Sequence, residues 1–333
     1  MNIGSPATAG MLAFACAACA STATIGDAAA QGTASATYPT RTIRWVAPFT
    51  PGGATDIVAR IVAERLADPL GQQVVVDNRP GAGGNIAAEL VVKAPPDGYT
   101  LLVAFPGLAI NPSLYGKLGY DPIKDLAPVV LISSTPLILV VNPSLPAKTV
   151  KEFITLAKRR PGEMLFPSAG NGTSGHLGGE LFRSAAGIDA QHVPYKGSIQ
   201  GITDLIGGRA HFMVTPLPEM IQFIQTGKLR GIAVTSVQRS AVLPSLPTVG
   251  ETLPGFDVTT WNGMMAPAGT PKDIIARLNG EVVKVLKLPA TVNRMKELGL
   301  DIIASSPEEL ASHLRRETDK WAKVVKAAGA RIE

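Results

Sequence analysis

Ile43-Arg44-Trp45-Val46-Ala47-Pro48-Phe49-Thr50-Pro51-Gly52-Gly53-Ala54-Thr55-Asp56 decides how this chain is read. An apolar run of strand length ends in a Pro- and Gly-rich turn. Residues 55–70 then place Ile57, Val58, Ile61, Val62 and Leu66 on one helical face. A strand that turns directly into a helix presents unpaired N–H groups and the positive end of the helix dipole at the turn. Glycine lets an anion come close to that backbone. The same grammar recurs at Ser168-Ala169-Gly170-Asn171-Gly172-Thr173-Ser174-Gly175-His176, between the strand 164–166 and the helix 175–186.

Working outward, strand and helix patterns alternate. The strands 43–49, 74–76 and 99–104 are separated by the helices 55–70 and 85–93, which predicts a parallel, doubly wound sheet. After the strand 137–141, Thr149-Val150-Lys151-Glu152 reads as a capping box opening a helix. A second series of strands (164–166, 190–193, 211–214) and helices (175–186, 198–206, 219–225) follows. The segment 229–235 then carries the chain back, and Ser306-Pro307-Glu308-Glu309 opens a long terminal helix. The expected fold is α/β and two-lobed. Each lobe is a mainly parallel sheet flanked by helices, and two hinge crossings join them. The expected parts are a leader (residues 1–37), a discontinuous lobe one (38–141 plus 234–333) and lobe two (142–233). Ligands of such sheets sit beyond the carboxyl ends of the strands, where both glycine turns lie.

Composition agrees with an ordered globular protein: of 333 residues, 46% are hydrophobic, and 34 Gly and 27 Pro supply turns. The net charge of +5 is scattered, and its densest run, Lys158-Arg159-Arg160, falls where a helix should end. No nucleic-acid motif is present, so no nucleic-acid partner is expected. Residues 1–37 carry no Lys or Arg and hold a short apolar stretch, Ala7 to Ala20, followed by small-residue sites. They read as a secretory signal peptide cleaved near Ala30 or Ala36, so the mature protein is expected to be exported. Both cysteines, Cys16 and Cys19, leave with it, and with them any disulfide framework or thiol nucleophile.

Five ordered motifs from Arg41 onward carry a family resemblance. They are Pro48-Phe49-x-Pro51-Gly52-Gly53-x-x-Asp56-x-x-Ala59-Arg60; Gly71-Gln72-x-Val74-Val75-Val76-x-Asn78-Arg79-Pro80-Gly81-Ala82-Gly83-Gly84; Pro96-Asp97-Gly98-Tyr99-Thr100-Leu101-Leu102; His192-Val193-Pro194-Tyr195-Lys196-Gly197; and Ala266-Pro267-Ala268-Gly269-Thr270-Pro271. The chain resembles the substrate-binding proteins of tripartite tricarboxylate transporters, the Bug family. That resemblance implies an exported, two-domain binding protein with a periplasmic-binding-protein-like fold, located in the periplasm, that captures a small carboxylate by hinge closure and delivers it to a membrane permease, without catalysis. A monomer with no cofactor is expected. The chain departs from the family pattern in three places. Thr215 stands where an aspartate is common, Asn262 where an aromatic is common, and Thr173 where Ser is common.

The candidate ligand contacts are Phe49, Gly53, Ala54, Thr55 and Asp56 of the first turn. Ser168, Asn171, Gly172, Thr173, Ser174 and His176 represent the second, and Phe105, Lys196 and Thr215 complete the set. Backbone N–H groups are the preferred donors, because neither turn contains an arginine for bidentate recognition. Thr55, Thr173 and Ser174 have helix capping as their competing role. Asp56 either caps, facing away, or accepts from a ligand ammonium or a water. Lys196 is either a cation near the cleft or a solvated side chain, and His176 either packs or touches ligand. Phe49, Phe105 and Trp261 form apolar walls or core.

The same residues bear on enzyme readings. Gly170-x-Gly172-x-x-Gly175 has the form of a dinucleotide fingerprint, but the next strand ends in Tyr195-Lys196 instead of the acid that would hold a ribose. No G-x-S-x-G elbow or Walker motif occurs, and the four histidines lack metal-ligand spacing, so no metal is expected. An exported hydrolase or other enzyme on the same scaffold, or a ligand sensor for a two-component system, are the alternatives to transport.

Overall fold

The structure is a computed structural model and describes residues 38–328, so the leader, its cleavage sites and both cysteines lie outside the described residues. In chain order, lobe one opens with β1 (Ile43–Ala47), α1 (Ala54–Leu70), β2 (Val74–Asn78), α2 (Asn85–Val92), β3 (Thr100–Ala104) and α3 (Gly107–Leu114). The strand β4 (Leu126–Val141) leads into α4 (Val150–Lys158), β5 (Met164–Ser168), α5 (Ser174–Ala186), β6 (Ala190–Pro194) and α6 (Ser198–Ile206). Then come β7 (Phe212–Pro216), α7 (Ile221–Gln225), β8 (Arg230–Val234) and β9 (Thr259–Pro267). The chain closes with α8 (Lys272–Leu286), α9 (Pro289–Glu297), β10 (Asp301–Ile302) and α10 (Pro307–Ala328).

The expected parallel alternation is the heart of lobe one: β2, β1 and β3 lie side by side and parallel. Beyond β3 the sheet continues antiparallel through β9, β4 and β10. Helices cover both faces. Val58, Val62 and Leu66 of α1 pack with Leu278 and Val282 of α8 on one side. Leu108 of α3 packs with Leu310, Leu314 and Trp321 of α10 on the other. Lobe two repeats the plan. It has a parallel pair, β5 and β6, and β7 and β8 flank the end of β4 antiparallel. Phe153 and Phe182 fill one face, and Ile202, Leu205 and Met220 the other.

The segment expected as a strand over 137–141 is the end of a 16-residue strand. Residues 126–136 of β4 pair with β9 in lobe one, and residues 137–141 pair with β7 and β8 in lobe two. One strand therefore belongs to both lobes. The return path is equally direct, since Val258 N–H donates to Thr235 O just before β9 begins. Within the segment 229–235, β8 pairs with the end of β4, and β9 pairs with its beginning.

Candidate functional site

The first helix start is built with no side-chain cap. Gly53 is the N-cap of α1 and has no side-chain oxygen to cap the first turn, so the N–H groups there are left to another acceptor. Asp56 does not supply it. Its buried carboxylate accepts from Gly52 N–H at 2.9 Å, from Arg60 Nε at 2.9 Å and from Asn78 Nδ2 at 2.9 Å. Burial alone raises the Asp56 pKa, but these bonds from Arg60, Gly52 and Asn78 outweigh it and hold the carboxyl below the usual aspartate range.

The second start uses its side chains to shape itself. Thr173 caps α5: its Oγ1 accepts from His176 N–H at 3.3 Å and donates to Gly170 O at 2.7 Å. Ser168 Oγ accepts from Gly170 N–H at 3.1 Å and bonds His192 Nε2 at 2.7 Å. His176 Nδ1 accepts from Gly172 N–H at 3.2 Å, and its ring stacks on His192 at 4.1 Å between centroids. Burial pushes both histidines down, His192 to about 3 with further help from its neighbour His176. Both rings are therefore neutral at neutral pH, and neither offers a cation to an anion.

The two starts face one cavity that is partly open to solvent. Among the sequence candidates, Phe49, Gly53, Ala54, Thr55, Phe105, Thr173, Ser174 and Thr215 line it. Phe49 and Phe105 meet edge to face at 5.4 Å and form its apolar wall. Asp56, Ser168, Asn171, Gly172, His176 and Lys196 do not line it. Asp56, Ser168 and His176 are held by the bonds above. Lys196 is exposed at the end of its strand, and Asn171 is half-buried. Trp261 is core, packed with the α10 side chains and edge-on to His313 at 5.0 Å.

The polar lining side chains Ser198, Glu219, Thr260 and Asn262 are not among the sequence candidates, and of these only Asn262 stood out in the sequence, as a departure from the family pattern. Glu219 stands out as the single charged residue of the lining among the described residues. It comes from lobe two, yet its Oε1 accepts from Ala54 N–H of lobe one at 2.7 Å. Its Oε2 accepts from Thr215 Oγ1 at 2.6 Å, and the Ser198 hydroxyl bonds it as well. Desolvation raises the Glu219 pKa despite these bonds. The signal for it was the departure at Thr215, where the family pattern has an acid. Here the acid lies four residues on, and Thr215 reaches it with its hydroxyl.

Two buried polar atoms of the lining have no protein partner: Thr55 Oγ1 and Asn262 Nδ2. Buried polar groups are normally paired, so the cavity offers hydrogen bonds that a ligand or water completes. Among the described residues, no group of His, Cys, Asp and Glu is placed to hold a metal ion.

Two α/β lobes with a partly polar cavity between facing helix starts define a solute-binding protein. The chain belongs to the receptor family of the tripartite tricarboxylate transporters, whose sequence profile matches residues 58–330. It is 38% identical over 300 residues to the protein BugT of Bordetella pertussis, spanning 89% of this chain and 92% of that one. Among solved structures it is similar to R. palustris Rpa4515 with adipate, at 39% identity and a TM-score of 0.86, covering 89% of this chain and 100% of that one. MatC from Rhodopseudomonas palustris with bound malate is 33% identical, with a TM-score of 0.82, covering 86% and 100%. The structural neighbours include the periplasmic binding protein BugD. These are receptors, not enzymes, and the hydrolase and oxidoreductase alternatives fall away with that membership. No described helix is long and apolar enough to cross a membrane.

Proposed function

We propose that this protein captures a small carboxylate in the periplasm between its two lobes and hands it to a tripartite tricarboxylate transporter permease. The observation that carries the reading is that residues of both helix starts line one cavity, Gly53 to Thr55 of one and Thr173 to Gly175 of the other. The ligands of two relatives, adipate and malate, are of the same chemical class. The carboxylate is held by the first-turn N–H groups of Thr55, Ser174 and Gly175, with no arginine or lysine on the cavity wall. The exchange between lobes lies where β4 changes partners, between Pro136 and Leu137, and where the chain returns between Thr235 and Thr259. Closure about these crossings brings both starts onto the ligand, so ligand shifts the population toward the closed form. Export follows cleavage of the leader near Ala30 or Ala36, and the working unit is the monomer.

A thermal-shift screen of small mono- and dicarboxylates tests the proposal. A ligand at a hundred times its Kd stabilises the folded state by ~2.7 kcal/mol, so a binder raises the melting temperature of the wild type by several degrees. Ser174→Pro deletes one N–H at the first helical position, where proline is tolerated. It should keep the unliganded melting temperature and lose most of the ligand shift. A screen without any stabilising carboxylate, or a full shift in Ser174→Pro, contradicts the reading.

A further inference from the structure

We propose that Glu219 is a specificity-determining residue, which selects a ligand carrying a hydroxyl or ammonium donor beside its carboxylate over the same acid without one. The inference rests on the carboxylate-capture reading above and deepens it.

Glu219 holds the place where an incoming anion would be expected. Its Oε1 sits on Ala54 N–H, the first N–H of the lobe-one helix start, 2.7 Å away. That start is therefore partly filled by the protein's own carboxyl group, brought from lobe two. A ligand carboxylate shares what remains, Thr55 N–H and the α5 start, and lies next to Glu219. No cation lines the cavity to offset two neighbouring carboxyl groups. A second bare anion beside the first is disfavoured in such a site.

A donor on the ligand reverses this. Burial disfavours the ionised form of Glu219, and a ligand donor beside it restores that form, which has about four acceptor positions. Ala54 N–H, Thr215 Oγ1 and the Ser198 hydroxyl occupy three of them. The remaining position takes an O–H or N–H on the carbon next to the ligand carboxylate. A site built around a buried hydrogen-bonding group rejects an analogue that leaves the group unpaired. Asn262 supplies a second discriminating atom. Its buried Nδ2 lacks a protein acceptor and suits an oxygen at the far end of the ligand. The two relatives' ligands differ on this point, since malate bears such a hydroxyl and adipate does not. Position 219 is therefore where this chain's own choice is written.

Calorimetric titration with matched trios tests the proposal. Each trio is a parent acid, its hydroxy acid and its amino acid: succinate, malate and aspartate; glutarate, 2-hydroxyglutarate and glutamate; 3-phenylpropionate, phenyllactate and phenylalanine. In the trio that fits, a donor-bearing member binds the wild type about tenfold or more tightly than the parent. Glu219→Leu removes the acceptor and brings that ratio to within about threefold, with the unliganded melt checking the fold. Glu219→Gln keeps the shape and loses the charge, so it lowers the preference for the ammonium member even where the leucine variant is unstable. A parent acid that binds the wild type as tightly as its partners overturns the proposal and leaves carboxylate capture standing. So does a preference that survives both substitutions. Failure of all nine compounds overturns the proposal together with the reading beneath it.

Discussion

Asp56 and Glu219 are two acids beside one helix start, and their neighbours send them in opposite directions. Asp56 is bonded by Gly52 N–H, Arg60 and Asn78, and these hold its pKa down. Glu219 is buried on the cavity wall with hydroxyl and backbone partners and no counter-charge, and burial pushes it up. The signs of their pH effects follow. A lowered carboxyl stabilises the fold above its unfolded pKa, and the stabilisation is lost as pH falls through the folded value. Asp56→Asn should thus cost about 1.5–3 kcal/mol at neutral pH, the scale of hydrogen bonds to a charged group. The deficit shrinks below the ordinary aspartate value of 3.8. A raised carboxyl does the reverse: stability falls as pH rises through the ordinary value of 4.5 toward the folded one. Glu219→Gln therefore gains on the wild type over that rise. Thermal melts of both variants from pH 3 to 8 check the pair, and parallel curves would remove the account of both acids.

At the level of elements, the sequence was most readable where local chemistry acts alone. The capping box at Ser306 and Glu309 forms as spelled, with Glu309 N–H to Ser306 Oγ at 3.2 Å and Ser306 N–H to Glu309 Oε2 at 2.8 Å. Thr149 likewise caps α4. The glycine turns sit where the strand-to-helix pattern put them, and α1 and α5 begin within a residue of expectation. What local pattern hid was set by distant partners. The strand β4 contains Pro128, Pro136 and the polar run Ser133-Ser134-Thr135, and only its last residues, 137–141, were expected as a strand. Register shifts after Pro128 and after Leu131 absorb these misfits in the pairing with β9, the usual way a sheet accommodates proline. Likewise α3 carries Pro112 inside a short helix. Glu219 was hidden for the same reason: nothing near it in sequence says that Ala54 waits across the cleft.

Across the whole molecule, the lobes meet through glycine. Gly172 has φ of +76°, and a Cβ there would lie 2.0 Å from Asn111 Oδ1 of lobe one, so a side chain is excluded by both backbone and neighbour. Gly197 is the cleaner probe, because its extended backbone suits any residue. A Cβ there would fall 1.9 Å from Thr50 Oγ1 and 2.9 Å from Thr50 Cβ, across the cleft. Rotating the threonine relieves the first contact and not the second. Gly197→Ala should therefore leave each lobe intact and oppose closure. The expected result is tenfold or greater loss of ligand affinity, an unchanged far-UV spectrum, and a larger radius of gyration by X-ray scattering. Wild-type affinity in this variant would mean that the lobes do not close through this contact. A two-lobed receptor with such a seam needs no covalent chemistry, since the work of binding is done by bringing two half-sites together.

The account turns on where the carboxylate sits. A crystal structure of the protein with the acid that the titrations select measures it directly. The account predicts a carboxylate oxygen within hydrogen-bond distance, about 2.7–3.2 Å, of Thr55 N–H and of Ser174 or Gly175 N–H, with Glu219 still on Ala54 and accepting from the ligand's own donor. A carboxylate held elsewhere, or by one lobe alone in a closed molecule, would contradict it.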